Sequence, residues 1–307
     1  MEELAALIGA YAPAVLIGLL AVLLGIAILL WRWLERYGQT LWEGIGLLWR
    51  AAVALPPIIR LRRRFPRLWS FLGRRLSPQG YLGLHLTIGL GMILTALFLF
   101  ADLAEEIGSG EEIASFDQAL AHALREHATP SAVTVFSAIT RLGNLSVLAA
   151  LGISVGLLLI LLRRRFLLVG WGAALMGGGL LNVALKGLFR RARPVLANPF
   201  VTESGWSFPS GHAMGALIAY GMLAYILVSF SDGKGGRVIV LTAAVLILLI
   251  GASRMYLGVH YFSDIVAGYI AGVAWLATCI TGTEIARRHR HQKSIAPDSA
   301  TSGRGRD

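Results

Sequence analysis

The sequence predicts an all-α integral membrane protein, with a core bundle of six transmembrane helices and one extra transmembrane helix on the N-terminal side. Three observations predict it. The 307 residues are 56% hydrophobic and only 15% charged, with a mean hydropathy of +0.68, where soluble chains carry about 25% charged residues. Uncharged stretches approach the ~20 residues that one bilayer crossing takes. Charged residues gather in short clusters between those stretches. A soluble enzyme is thereby excluded. The excess of 28 Lys+Arg over 17 Asp+Glu, a net +11, is better read as the basic bias of cytoplasmic loops than as a nucleic-acid surface. The single cysteine, Cys279, excludes an internal disulfide and a thiolate metal cluster.

The elements follow in chain order. The first apolar run, 4–31, comes after Glu2 and Glu3 instead of a basic leader and is too long for a signal-peptide core, so a retained helix is expected. The stretch 41–59 carries Glu43, Arg50 and the Pro56-Pro57 pair. A charge at the bilayer centre costs ~2.5–3.5 kcal/mol, so this stretch is expected to lie in the interface. Arg60, Arg62, Arg63, Arg64, Arg67, Arg74 and Arg75 follow and complete an N-terminal unit, residues 1–80. Six further runs, 82–101, 145–162, 166–185, 212–230, 238–252 and 265–281, make a core over 81–285. The polar, basic tail 286–307 is expected to be disordered.

Loop charges orient the spans. Arg163, Arg164 and Arg165, the Lys234/Arg237 hairpin and the tail cations Arg287, Arg288, Arg290 and Lys293 share one side with the Arg-rich segment. The acidic connection 102–144, with Glu105, Glu106, Glu111, Glu112 and Asp117, falls on the other and is expected as a long loop. The N-terminus is then outside and the C-terminus inside. One connection breaks the pattern: Lys186, Arg190, Arg191 and Arg193 lie on the outer side. Cations held on the wrong side call for an anion.

Three clusters sit at helix junctions on that outer face. Lys186 and Arg193 are two helical turns apart, hence on one face, and Pro194 is expected to end their helix. Pro209-Ser210-Gly211-His212 precedes a helix, where Ser210 suits the N-cap and open backbone N–H groups form an anion site. In Ser253-Arg254-x5-His260-x3-Asp264, the i, i+4 spacing lets one carboxylate hold one imidazole nitrogen and leave the other facing out. Arginine forks and a lysine point charge suit phosphate. Two histidines, a carboxylate and three cations are the equipment for phosphoryl transfer through a covalent histidine. A metal site at His260 and Asp264 is disfavoured, since Arg254, Arg193 and Lys186 would repel a cation. Gly177-Gly178-Gly179 reads as a helix-packing seam.

Taken in series, Lys186-x6-Arg193-Pro194, Pro209-Ser210-Gly211-His212 and Ser253-Arg254-x5-His260-x3-Asp264 resemble the three-part signature of the type 2 phosphatidic acid phosphatase (PAP2) family, which also includes the vanadium-dependent haloperoxidases. The resemblance covers about residues 82–281 and leaves 1–80 unexplained. It implies a lipid phosphatase that uses neither metal nor cofactor. His260 would be the nucleophile, Asp264 its orienting acid and His212 the proton donor to the leaving oxygen. Lys186, Arg193, Arg254, Ser210 and the Gly211 backbone N–H would hold the phosphoryl oxygens. Arg190 and Arg191 occupy variable positions of the motif; they are read as steering anionic headgroups or snorkelling to the interface. The resemblance further implies a multi-pass protein of the bacterial inner membrane with its site facing the periplasm. Its substrate would be phosphatidylglycerol phosphate, phosphatidic acid or a polyprenyl diphosphate. Alternatives are a phosphotransferase passing the group to an acceptor lipid or sugar, and a non-catalytic lipid-phosphate binding or transport protein. The lipid and the oligomeric state are not legible from sequence.

Overall fold

Eleven helices, and no strand, form among the described residues of the computed structural model, which are 2–66, 81–195, 200–201, 203–231 and 234–295. They are α1 (Glu2–Ala10), α2 (Ala12–Val53), α3 (Pro56–Arg64), α4 (Tyr81–Ser109), α5 (Glu111–Glu126), α6 (Pro130–Arg141), α7 (Leu145–Leu161), α8 (Arg165–Phe189), α9 (Gly211–Val228), α10 (Lys234–Tyr256) and α11 (Phe262–Ile295). Five stretches among the described residues are long and apolar enough to cross a membrane: Pro130–Leu161, Arg165–Phe189, Gly211–Val228, Gly235–Tyr256 and Phe262–Arg288. They match five of the expected runs, two of which overrun their helix by one or two residues, and the runs 4–31 and 82–101 fall in α1–α2 and in α4. The molecule is an all-helical, multi-span membrane protein. Arg67, Arg74, Arg75 and the tail beyond Ile295 lie outside the described residues.

Three segments differ from the sequence expectation. Residues 41–53 form no element of their own, because α2 runs unbroken for 42 residues, about 63 Å at 1.5 Å per residue and twice a ~30 Å hydrocarbon core. Proline explains the bounds. Pro13 sits in the first turn, where its missing N–H costs nothing, and the next prolines, Pro56 and Pro57, force the break that starts α3. The acidic connection 102–144 is not a loop: α4 extends to Ser109, and α5 and α6 follow. At α6 the Thr129 side chain accepts a hydrogen bond from the Ala132 N–H at 3.4 Å and Pro130 occupies the first turn, a standard helix start. The tail is helical to Ile295. Glu284 pairs with Arg287 and Arg288 one turn on, at 3.2 and 2.8 Å, and cations suit the C-terminal pole of a helix.

Helix α9 is the axis of the bundle. Its apolar residues leave no polar face, which marks a helix surrounded by others. Ala213, Met214, Ala216, Ile218, Ala219, Met222, Ala224 and Ile226 are all buried. Leu159 of α7, Leu167, Trp171 and Ala174 of α8, and Ala271 and Cys279 of α11 close around it. The glycine seam of α8 makes close contacts: a Cβ at Gly178 would lie 2.6 Å from Ile218, and one at Gly177 would strike the Trp275 ring. Outward-facing Ile153, Leu157, Leu161, Val169, Met176, Leu180 and Val183 are exposed, as a lipid-facing rim requires.

The path of the chain places the chemistry. Helices alternate in direction, so the ends of α8 and α10 and the starts of α9 and α11 share one rim of the bundle. A second core of Leu120, Leu124, Phe136, Tyr256, Leu257 and Val259 seats α5 and α6 on this rim, and Ala12 joins it. The opposite rim carries Arg163, Arg164, Arg165, Arg237, Arg287 and Arg288.

Candidate active site

Helix α8 ends earlier than its proline suggests, and this sets the first cluster. The helix stops at Phe189, Arg190 turns left-handed at φ 47°, and its N–H closes on the Lys186 carbonyl at 3.1 Å. The following chain leaves the helix and pairs with the loop before α9, with the Ser207 N–H donating to the Arg191 carbonyl at 2.8 Å. Lys186 and Arg193 therefore do not share a helix face. Lys186 reaches the rim from the helix and donates to the Trp206 carbonyl. Arg193 comes from the loop, held by the carbonyls of Val259 at 2.7 Å and Gly205 at 3.1 Å.

The second cluster is built as its motif suggests. Ser210 caps α9 through Oγ, which accepts from the Ala213 N–H at 3.4 Å, and its own N–H donates to the Asp264 carbonyl at 2.9 Å. This bond ties the start of α9 to the start of α11. Close approach depends on Gly268, where a Cβ would sit 2.8 Å from the Ser210 carbonyl oxygen. Gly211 packs beside Asn182 and the end of the Lys186 side chain. His212 stands in the first turn of α9, with Nε2 at 2.9 Å from Asn144 Oδ1. That oxygen can only accept, so Nε2 carries the proton and Nδ1 is left for exchange.

The third cluster holds His260 in a defined tautomer. Nδ1 lies 3.3 Å from Asp264 Oδ2, and Nε2 lies 3.2 Å from Arg193 Nη1. A guanidinium only donates, so Nε2 is the accepting nitrogen and the proton sits on Nδ1, facing the carboxylate. Burial drives the imidazole towards its neutral form and outweighs the hydrogen bond and charge of Asp264, while Arg193 and Arg254 push the same way as burial. Its pKa falls to about 4. At neutral pH this ring is an uncharged base with its lone pair turned towards the cations.

Arg254 completes the cup from the end of α10. It is 1% exposed, donates to Thr140 Oγ1 at 2.9 Å, and pairs with Glu203. Its Nε is buried and meets no acceptor among the described residues. Glu203, from the loop before α9, bridges Arg254 to Arg193, the latter at 3.3 Å. Burial alone would raise the Glu203 pKa, but the charges of Arg254 and Arg193 lower it below the ordinary carboxylate range. The carboxylate thus lies across the two guanidinium groups that face His260.

Sequence reasoning set Arg191 outside the catalytic set, and the structure brings it into contact with Asp264. Its Nη1 donates to Asp264 Oδ1 and to Ser263 Oγ, both at 2.7 Å, and its Nη2 to Asp117 Oδ2 at 2.9 Å. The guanidinium also lies over the Tyr261 ring, 4.4 Å from its centroid. Burial works against its charge, yet Asp264 and Asp117 raise its pKa further. Arg190 remains exposed, and among the described residues its side chain bonds only to its own helix end, through the Gly187 carbonyl. From the sequence, Asp117 counts only as one of the loop charges of the acidic connection. Its signal is an acid in the apolar stripe of α5, three and seven residues before the buried Leu120 and Leu124. Asn144, Thr140 and Glu203 carry no such mark.

Known proteins match this chain over the same region. The PAP2 superfamily model matches residues 166–288. A phosphatidylglycerophosphatase B of Bacillus subtilis (strain 168) is 34% identical over 185 residues, covering 58% of this chain and 88% of the relative. A lipid A 4'-phosphatase of Rhizobium etli is 32% identical over 147 residues, covering 43% of this chain and 54% of the relative. Among solved structures, the transmembrane PAP2 type phosphatidylglycerolphosphate phosphatase from Bacillus subtilis superimposes with a TM-score of 0.56 at 30% identity, over 66% of this chain and 97% of that one.

Proposed function

The chain belongs to the PAP2 superfamily, and from its site geometry we propose that it hydrolyses a lipid phosphate through a phosphohistidine formed on His260. One observation carries the reading above the others. The lone pair of a neutral, buried imidazole faces Arg193, and the neighbouring Arg254 keeps a buried donor, Nε, without an acceptor among the described residues. A buried donor left open is costly, and a phosphoryl oxygen is the acceptor that suits it.

The steps follow from the contacts. A phosphoryl group seats among Arg193, Arg254, Lys186, the Ser210 cap and the Gly211 N–H, displacing the Glu203 carboxylate from the arginines. These groups answer the charge that grows on the transferring oxygens. His260 Nε2 attacks phosphorus as the P–O bond to the lipid breaks. The imidazolium that forms keeps its proton on Nδ1, donated to Asp264 Oδ2. His212, protonated on Nδ1, gives that proton to the departing lipid oxygen. In the second half the neutral His212 takes a proton from water as the water oxygen attacks phosphorus; the P–N bond breaks, and inorganic phosphate leaves.

The site rim faces the outer leaflet in this reading. Support comes from the arginines of the opposite rim, which belong on the cytoplasmic side. The substrate is a membrane phosphomonoester of the phosphatidylglycerol phosphate class, in line with the activity for which the Bacillus subtilis relative is named. A panel of dioctanoyl phosphatidylglycerol phosphate, dioctanoyl phosphatidate and a short polyprenyl diphosphate, with and without chelator, tests it. Phosphate release should be fastest from the first, should survive chelation, and should vanish in His260→Ala. Undiminished release by His260→Ala would remove the covalent mechanism.

A further inference from the structure

Asp264 has two carboxylate oxygens with different tasks, and the division is imposed from outside the motifs. Oδ2 faces His260 Nδ1 at 3.3 Å and accepts the Tyr261 N–H at 3.0 Å; Oδ1 accepts only from Arg191 among the described residues, at 2.7 Å. Arg191 is itself held by Asp117 of α5, whose carboxylate also takes the Ser263 N–H at 3.1 Å and the Ser263 hydroxyl. Asp117 is 1% exposed and Ser263 2%. A carboxylate hydrogen-bonded to a guanidinium and a backbone amide in low dielectric is a fixed point, not a mobile surface charge.

We propose that Asp117 is a positioning residue for the reaction: with Ser263 it pins Arg191 against Asp264 Oδ1, which reserves Oδ2 for His260. The chain of contacts runs from an amphipathic helix that precedes the matched family region, through a loop arginine, to the nucleophile's partner. Two carboxylates share one guanidinium, so Arg191 stays neutralised on one side and does not draw both oxygens of Asp264 to itself. Without Asp117 the fork is released to chelate Asp264, and His260 loses part of its orienting acceptor. The other charged groups facing His260 are Arg193 from the loop after α8 and Arg254 from α10; both are untouched by this change.

This inference rests on the proposed hydrolysis, and its test has an arm that does not need turnover. In detergent-purified full-length protein with selectively 15N-labelled histidine, His260 signals are assigned by their loss in His260→Gln. Asp117→Asn is expected to shift both His260 ring nitrogens, weakening the Nδ1–H bond, and to lower kcat on dioctanoyl phosphatidate about tenfold to a hundredfold, with KM within about twofold. Adding Asp117→Asn to Arg191→Ala should cost nothing further, because both act through one contact. Ser263→Ala, a smaller change, should lower kcat about threefold to tenfold in the same pattern and serves if Asp117→Asn fails to fold. Unmoved His260 signals, or a lower unfolding temperature with wild-type kcat in the folded fraction, would make Asp117 a mere fastener of α5 and overturn the proposal. If the wild-type protein releases no phosphate, the functional reading fails, and the His260 signals alone decide this one.

Discussion

Glu203→Gln should tighten the binding of a simple oxyanion, because Glu203 occupies the ground that the anion needs. Its carboxylate lies 3.3 Å from Arg193 and in direct contact with Arg254. A pair of unit charges 4 Å apart is worth about 4 kcal/mol at an effective dielectric of 20. The Glu203 side chain is 27% exposed, so solvent screens part of this, and a net cost on the order of 1–2 kcal/mol for displacing it is reasonable. That is about tenfold in affinity. Glutamine keeps the size and one acceptor but not the charge. The assay is inhibition of dioctanoyl phosphatidate hydrolysis by inorganic phosphate at pH 7.5, in wild type and variant. The inhibition constant should fall about tenfold in Glu203→Gln, and the difference should shrink at high salt. An unchanged or weaker inhibition constant would refute the reasoning, since Glu203 would then hold the arginines in place for the anion and not compete with it.

Three further outcomes follow from the geometry. Folded His260 stays neutral down to about pH 4, whereas in the unfolded chain it protonates near about 6.5. The unfolded state therefore binds more protons between these values, and stability falls as pH drops from 6.5 to 4, by on the order of 3 kcal/mol. Unfolding temperatures measured across that window should show a slope that flattens in His260→Gln; an equal slope in both would locate the titration elsewhere. Gly268→Ala would put a Cβ 2.8 Å from the Ser210 carbonyl oxygen and 3.3 Å from the Met214 nitrogen. Backbone cannot yield there, so a loss of about 1–3 kcal/mol is expected by thermal unfolding. Gly272→Ala, which meets the Leu217 side chain at 3.1 Å, should cost less, and the reverse order would contradict the packing. Ser131→Cys places a thiol on the site rim, exposed at the start of α6, in a chain whose lone native cysteine is buried. A membrane-impermeant maleimide should label it in spheroplasts without lysis; labelling only after lysis would reverse the orientation.

Most of this architecture could be read from spacing because the bilayer makes sequence and structure speak the same language. An uncharged run of bilayer length has few folds open to it, and five of the expected spans recur as helices of the described bundle. The motif residues were legible for a related reason: a serine before a helix and a histidine four residues from an aspartate are local relations, and Ser210, His260 and Asp264 keep them. What spacing could not show was where a helix stops. Pro194 suggested that Lys186 and Arg193 ride one helix, but a left-handed Arg190 ends it four residues earlier, at a residue type with no special claim on that conformation. The reason lies in pairing with the distant loop at Ser207, which no local pattern encodes.

The misreading of Arg191 has the same origin and points to how the site is assembled. Taken alone, an arginine at a variable motif position beside a membrane is a snorkelling cation. It becomes an internal residue only because α5, read from its charges as a solvated loop, carries an acid in its buried stripe. Arg191, Asp117 and Asp264 would each be costly to bury singly. Together they give each carboxylate a charged partner, at 2.9 and 2.7 Å. The alternation of one cation between two anions lets the rim of an apolar bundle hold this much charge beside a neutral imidazole. It also explains why the acidic connection could not have been a loop: Asp117 must be delivered to a fixed point, and a helix seated on Phe136, Tyr256 and Leu257 delivers it.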